Sequence, residues 1–338
     1  MAGHLLPGRA GGRLLLLALA LPLALLGASL CGPAPISLHD AWRMLIGPEP
    51  HDAGVYQRIM WSLRMPRALL AAVAGAGLAL AGTILQSLTR NPLADPWVLG
   101  ISSGAGVGAV LVLVLGLGGG LLSISGGAFL GAIGAFALVM LLAGRSLRAE
   151  STLFILAGVA VTQLLSALTS LITLWQADAN VTRGVMFWLL GSFSDARWPQ
   201  VQLCALALAA ALWLCWLRAG ELDTLALGEL TAASLGVAVA PLKLLLYVAT
   251  TALTAAIVAF SGAVGFIGLT VPHVARLLVG PRHRLLLPAS ALCGALFAVA
   301  ADTLARTLFA PRELPVGVLT ALLGVPVFLA LLYRKVNA

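Results

Sequence analysis

The chain has 338 residues, of which 61% are hydrophobic and only 9% charged, with a formal net charge of +8. A soluble domain carries about 25% charged residues, so this chain cannot cover a water-facing surface and reads as an all-α, polytopic membrane protein. Its basic residues stand singly between apolar runs, which excludes a nucleic-acid-binding patch and points to membrane topology.

A spanning helix needs roughly 20 apolar residues. That ruler places about ten transmembrane helices, near 13–32, 64–86, 97–116, 121–142, 152–175, 198–217, 242–262, 266–280, 285–309 and 315–333. An even number returns the chain to its starting side. The excess of Arg and Lys in alternate connections assigns that side, with both termini, to the cytoplasm. Arg9 and Arg13 ahead of the run Leu14–Leu30 resemble a signal peptide, but the run is long enough to span, so an uncleaved first helix is expected. Prolines 33, 35, 48 and 50 break the polar stretch that follows, leaving a short surface helix over 36–45. Pro66 suits a first helical turn. Arg64 and Arg67 lie three apart on that entry, as interfacial anchors or as contacts for something outside. In the second span Ala71, Gly75, Ala79 and Gly82 form a small-residue seam for close helix packing.

The stretch Gln86–Gly104 is a polar break between two apolar runs, with two prolines, an arginine, an aspartate and an asparagine. Irregular backbone at this depth must be lined by protein or by a water-filled cavity. It is a connecting loop or the lining of a transport path. Trp175–Pro199 holds an apolar island, Met186–Leu190, expected as a short interfacial helix with Trp188 and Trp198 in the aromatic belt. Residues 218–242 read as two short amphipathic helices divided near Ser234, with Gly236 ending a helix. A helix resting on lipid has a basic polar face. Here Glu221, Asp223 and Glu229 stand instead, so a docking platform is expected. Glycines 262, 265 and 268 with Pro272 interrupt a later apolar run much as the first break does. Paired interruptions point to two inverted pseudo-repeats around a transport path. Asp302 and Arg306, four apart, are placed to pair.

The chain carries no P-loop motif and hence no ATPase site of its own. Cys31, Cys204, Cys215 and Cys293 lack metal-ligand or redox spacing, and His273 reads as a packed residue rather than a ligand. Intramembrane acids are scarce, which argues against an ion-coupled secondary carrier. Energy is expected to enter from outside the chain, through the platform.

Several segments together resemble the permease subunits of type II ATP-binding-cassette importers, the iron-siderophore, haem and cobalamin group. They are Leu63–Arg67, Thr89–Pro96 with Leu99–Gly104, Phe187–Ser192, Leu227–Glu229 with Ser234–Gly236, Gly265–His273 and Glu313–Gly324. The resemblance covers roughly residues 55–335 and says little about cargo. It implies a single transmembrane permease domain over 1–338, with cytoplasmic coupling helices at about 221–240. It implies a homodimer with the path at its interface, sitting in the bacterial inner membrane. Two ATPase subunits would dock below, holding ATP and Mg, so no cofactor is expected in this chain. A periplasmic or lipid-anchored substrate-binding protein would dock above; membrane lipid, but no nucleic acid, completes the partners. By position it implies a gate of Asn91, Leu93, Ser151 and Thr152. ATPase coupling falls to Gly228, Glu229, Ser234 and Gly236, and binding-protein docking to Arg64, Arg67 and Arg306. Reversing Arg64 and Arg67 to Glu is expected to weaken docking while leaving the fold intact. The implied cargo is a ferric siderophore or related metal chelate, with haem and cobalamin as alternatives.

Overall fold

A computed structural model describes residues 7–32, 54–116, 123–143, 151–176 and 178–336. The surface helix expected over 36–45 lies outside these residues. Helix α1 (Pro7–Leu30) opens the chain. Helix α2 (Val55–Thr89) contains a π-helical turn at Met60–Arg64. A 3-10 turn, Pro96–Leu99, leads into α3 (Ile101–Val114), followed by α4 (Ile124–Ala143) and α5 (Ser151–Trp175). Then come α6 (Ala179–Leu190), α7 (Trp198–Leu217) and two short helices, α8 (Ala219–Leu225) and α9 (Glu229–Ser234). The last four are α10 (Val239–Ser261), α11 (Ile267–Val279), α12 (His283–Thr307) and α13 (Val316–Val336). Seven of the helices are long and apolar enough to cross a membrane, and α3, α11 and the Val316–Ala330 part of α13 are shorter apolar helices. Each expected span finds its helix. No strand occurs among the described residues.

Helix α2 is the central element. Its residues from Leu70 to Thr89 are almost all buried, against α7, α10, α11 and α12. Glycine makes this possible. A Cβ on Gly75 would collide with the Gly294 backbone of α12, and one on Gly82 with the Gly268 backbone of α11. Gly104 and Gly108 of α3 meet Gly131 and Gly127 of α4 in the same way. Lipid supplies no hydrophobic drive between helices, so close backbone approach and dispersion contact hold them. Gly75→Val is therefore expected to push α2 and α12 apart and to destabilise by about 1–3 kcal/mol or more. Thermal unfolding of the detergent-solubilised chain reads this out. Gly134→Val is the control, because no atom lies within 4 Å of a Cβ built there.

Both interrupted segments are real breaks. Helix α2 ends at Arg90 in the left-handed region (φ 50°), and α3 starts after Gly100 (φ 75°). Helix α10 ends at Gly262 (φ 65°), and α11 starts after Phe266 (φ 65°). Each break is followed by a helix of only 14 or 13 residues, then by two long ones. The pattern of α2–α5 thus recurs in α10–α13. The two copies run in opposite directions: α2 runs toward the α8–α9 pair, and α10 runs away from it. Helix α1 starts on the α8–α9 side, where Arg13 donates to the Leu278 carbonyl at 2.7 Å. Helix α13 leaves from the opposite side, beside Gly191, so Pro7 and Val336 lie toward the same end.

Candidate functional site

Helices α8 and α9 form a platform across one end of the bundle. The division falls at Leu227–Gly228, not near Ser234 as the sequence spacing suggests. Gly228 holds φ 122°, a region that favours glycine, and it is this residue that breaks the pair. Gly236 (φ 87°) ends the second helix as expected. Leu222, Leu225 and Ala232 turn inward, while Leu227, Leu230 and Leu235 are 70%, 90% and 64% exposed. Two charged links tie the platform to the bundle. Lys243 of α10, almost wholly buried, donates to Glu229 Oε1 at 2.9 Å. Asp223 accepts from the backbone N–H of His283 at 2.9 Å and sits 2.6 Å from its Nδ1. Ser234 has a local role, donating to the Thr231 carbonyl at 2.8 Å.

The loop after α2 lies beside the platform. Asn91 Oδ1 accepts from the Leu93 N–H at 2.9 Å, which closes a tight turn and leaves Leu93 exposed. The Pro92 carbonyl is 3.0 Å from His273 Nε2 of α11. Asp95 is buried and accepts from the Trp97 N–H at 3.1 Å, capping the 3-10 turn. The Trp97 indole N–H reaches the Val264 carbonyl in the second break at 3.3 Å. Gln86 donates to the Gly268 and Leu269 carbonyls, both at 3.2 Å, and accepts from Arg276 at 2.6 Å. The two breaks are thereby joined to each other. Gly268 touches α2 at Gly82, seven residues before its end, hence about 10 Å inside the helical layer. A cavity of about 240 Å³ separates the loop (Thr89, Asn91, Leu93, Asp95) from Ile155 and Val159 of α5. Asn91 and Leu93 thus face the first turns of the helix on which Ser151 and Thr152 stand. The side chains of Ser151 and Thr152 lie outside the described residues.

At the opposite end, Arg67 donates through Nε to Asp302 at 3.0 Å and through Nη1 to Glu313 at 2.9 Å. Arg306 pairs with Asp302 at 3.5 Å, as its spacing suggests, and donates to the carbonyls of Cys31 (2.9 Å) and Ala28. Arg64 donates to the carbonyls of Ser29 (3.0 Å) and Leu30 (3.2 Å). Two arginines therefore satisfy the open C-terminal carbonyls of α1. All three turn inward, with Arg64 and Arg306 each only 6% exposed. Charge reversal that leaves the fold intact is not compatible with this placement, because Glu would stand beside buried carboxylate or carbonyl oxygens. Sequence spacing missed the partners because Asp302 and Glu313 are 235 and 246 residues from Arg67. Above the cluster a cavity of about 400 Å³ opens between Phe187, Trp188, Asp195, Phe260, Glu313 and Pro315.

The platform, the two joined breaks and the glycine-packed bundle together make up the candidate site. Residues 16–334 match the FecCD transport family. The chain belongs to that family. It is 43% identical to the cobalamin import system permease protein BtuC of Halobacterium salinarum, over 83% of this chain and 75% of that one. It is 40% identical to the hemin transport system permease protein HmuU of Yersinia pestis, over 97% and 98% of the two chains. Among solved structures, a metal-chelate type ABC transporter in an inward-facing conformation matches with a TM-score of 0.85 and 34% identity. That match covers 95% of this chain and 98% of the other. As a FecCD permease the chain is a multi-pass membrane protein and a transport subunit rather than an enzyme. The FecCD family implies a dimeric permease with ATPase partners, which replaces the ion-coupled carrier as a reading.

Proposed function

We propose that this chain is the membrane subunit of an ATP-driven importer that carries a ferric siderophore or related metal chelate across the bacterial inner membrane. Two copies enclose the path at their interface, and the platform end, with both chain ends, faces the cytoplasm. Two ATPase subunits, which bind the ATP and Mg, seat on α8 and α9. A periplasmic or lipid-anchored binding protein delivers cargo at the opposite end, where Arg64, Arg67 and Arg306 hold the docking rim in shape. The observation that carries this reading is the platform itself. Its leucines Leu227, Leu230 and Leu235 point outward unpartnered, while Glu229 and Asp223 tie it inward beside the Asn91–Leu93 loop. Closure of an ATPase dimer on those leucines moves the platform, and the loop and the start of α5 open or close the path as a gate.

The relatives' names favour a second cargo reading, haem or cobalamin, within the same machine. All three cargoes are bulky metal chelates, which suit a wide cavity with few fixed charges. Vesicles holding the chain with its ATPase and binding protein decide between them. ATP-dependent, ionophore-insensitive accumulation of a ferric siderophore is expected. Uptake of hemin or cobalamin alone selects the second reading, and uptake that needs no ATP overturns the importer.

A further inference from the structure

Ser87, His283 and Asp223 form a chain of three side chains at the platform end. Asp223 lies on α8, His283 opens α12, and Ser87 lies on α2 two residues before its end. Asp223 Oδ1 is 2.6 Å from His283 Nδ1, and His283 Nε2 is 2.7 Å from Ser87 Oγ. By distance alone this is the arrangement of a hydrolytic triad. The surroundings exclude that use. Ser87 is buried in the body of α2, and its hydroxyl lies 2.9 Å from the Thr83 carbonyl one turn back. A nucleophilic serine needs an open face for its substrate, and this one is packed shut.

The 2.6 Å contact with a carboxylate places a proton on Nδ1, so Nδ1 donates to Asp223. Nε2 is then met by the Ser87 hydroxyl, whose single proton serves either Nε2 or the Thr83 carbonyl. The imidazole, 5% exposed as a side chain, bridges a platform residue and α2. Asp223 is the wet end of the bridge, with its side chain 40% exposed. Just beyond Ser87, α2 runs out into Arg90 and the Asn91–Leu93 turn.

We infer that His283 is a positioning residue for energy coupling: it passes displacement of the ATPase-docking platform to the gate-bearing end of α2, through Asp223 on one side and Ser87 on the other. The inference rests on the importer reading above. A rigid two-bond imidazole bridge transmits a push with little slack, because both contacts are short and the one to Ser87 is shielded from water. The second platform link, Glu229 to Lys243, leads to α10 and so to the other break. The platform therefore has one line to each interrupted segment.

The test uses the reconstituted transporter, with the chain in vesicles alongside its ATPase and binding protein, and reads ATP hydrolysed and cargo delivered separately. His283→Leu is expected to leave ATP hydrolysis running while cargo per ATP falls about tenfold. His283→Asn can keep only the Asp223 side, and His283→Gln only the Ser87 side, so neither is expected to restore coupling. Ser87→Ala and Asp223→Asn should each lower cargo per ATP in the parent chain and do nothing further in the His283→Leu background. Thermal unfolding of His283→Gln in detergent, within a few degrees of the parent, separates this from simple loss of fold. Additive effects of the Ser87 and His283 changes, or normal cargo per ATP in His283→Leu, overturn the inference. Failure of the ATPase to bind the parent chain at all overturns the importer reading instead.

Discussion

Arg67→Glu is expected to destabilise the detergent-solubilised chain by about 3–5 kcal/mol, the range found when one partner of a buried ion pair is removed. Asp302 has a side chain only 2% exposed, and Arg67 is its close partner at 3.0 Å; Arg306 stands farther off at 3.5 Å. Substitution by Glu removes the guanidinium and adds a third carboxylate beside Asp302 and Glu313. Asp302 cannot reach water without parting α2 from α12. The double change Arg67→Met with Asp302→Leu should recover part of the loss, because apolar pairs of similar volume replace buried ion pairs well, while Arg306 keeps only the Cys31 and Ala28 carbonyls. Thermal unfolding checks both, and an unshifted midpoint for Arg67→Glu refutes the buried cluster. On the proposed importer reading, affinity for the binding protein should also fall in Arg67→Glu, measured well below its unfolding midpoint, because Glu313 loses its anchor.

Glu229→Lys should uncouple ATP hydrolysis from transport, with cargo per ATP falling about tenfold or more. Lys243 is 2% exposed, and among the described residues its carboxylate partner is Glu229. Two ammonium groups in that space repel, and Lys243, shielded from water, is left without its carboxylate. Helix α9 has six residues, too few to hold its shape without tertiary contacts, so its platform position depends on this pair. Arg218→Ala is the contrast. Its pair with Glu221 is 45% and 36% exposed, and exposed pairs contribute about 0–1 kcal/mol, so coupling should stay normal. Exchanging the charges, Glu229→Lys with Lys243→Glu, should return part of the coupling. Wild-type cargo per ATP in the single variant, measured in reconstituted vesicles, would remove Glu229 from the coupling path.

The spans were legible because lipid imposes a length on apolar runs, and glycine and proline marked both breaks. The small-residue seam of α2 was legible for the same reason, down to Gly75 and Gly82. The site was legible only in part. Asn91 and Leu93 stand out as a polar turn between apolar runs, and the structure sets them on a cavity facing α5. Asp95 passed without a role, although an aspartate ahead of Pro96 and Trp97 is a capping signal. His283 was missed because it lies just outside the apolar run that defines α12, and its partners sit 60 and 196 residues away. Period and composition report what a residue's neighbours along the chain are. Pairing across helices depends on how the bundle closes. The platform break slipped for a different reason: leucines at 225, 227 and 230 mask the turn that Gly228 makes.

The glycine contacts along α2 have a mechanical meaning. Where Gly75 meets Gly294 and Gly82 meets Gly268, backbone lies on backbone, with no side chain between to shear or swivel. A seam of that kind behaves as a weld, and α2 with α11 and α12 acts as one stiff spar. From Met65 to Thr89 it is about 38 Å long. Its upper end is clamped by Arg67 to Asp302 and Glu313; its lower end rests on His283 and the platform. A stiff spar cannot tilt at one end only. Whatever moves the platform therefore alters the Arg67 rim at the far end in the same stroke, and a load on that rim is felt at the platform.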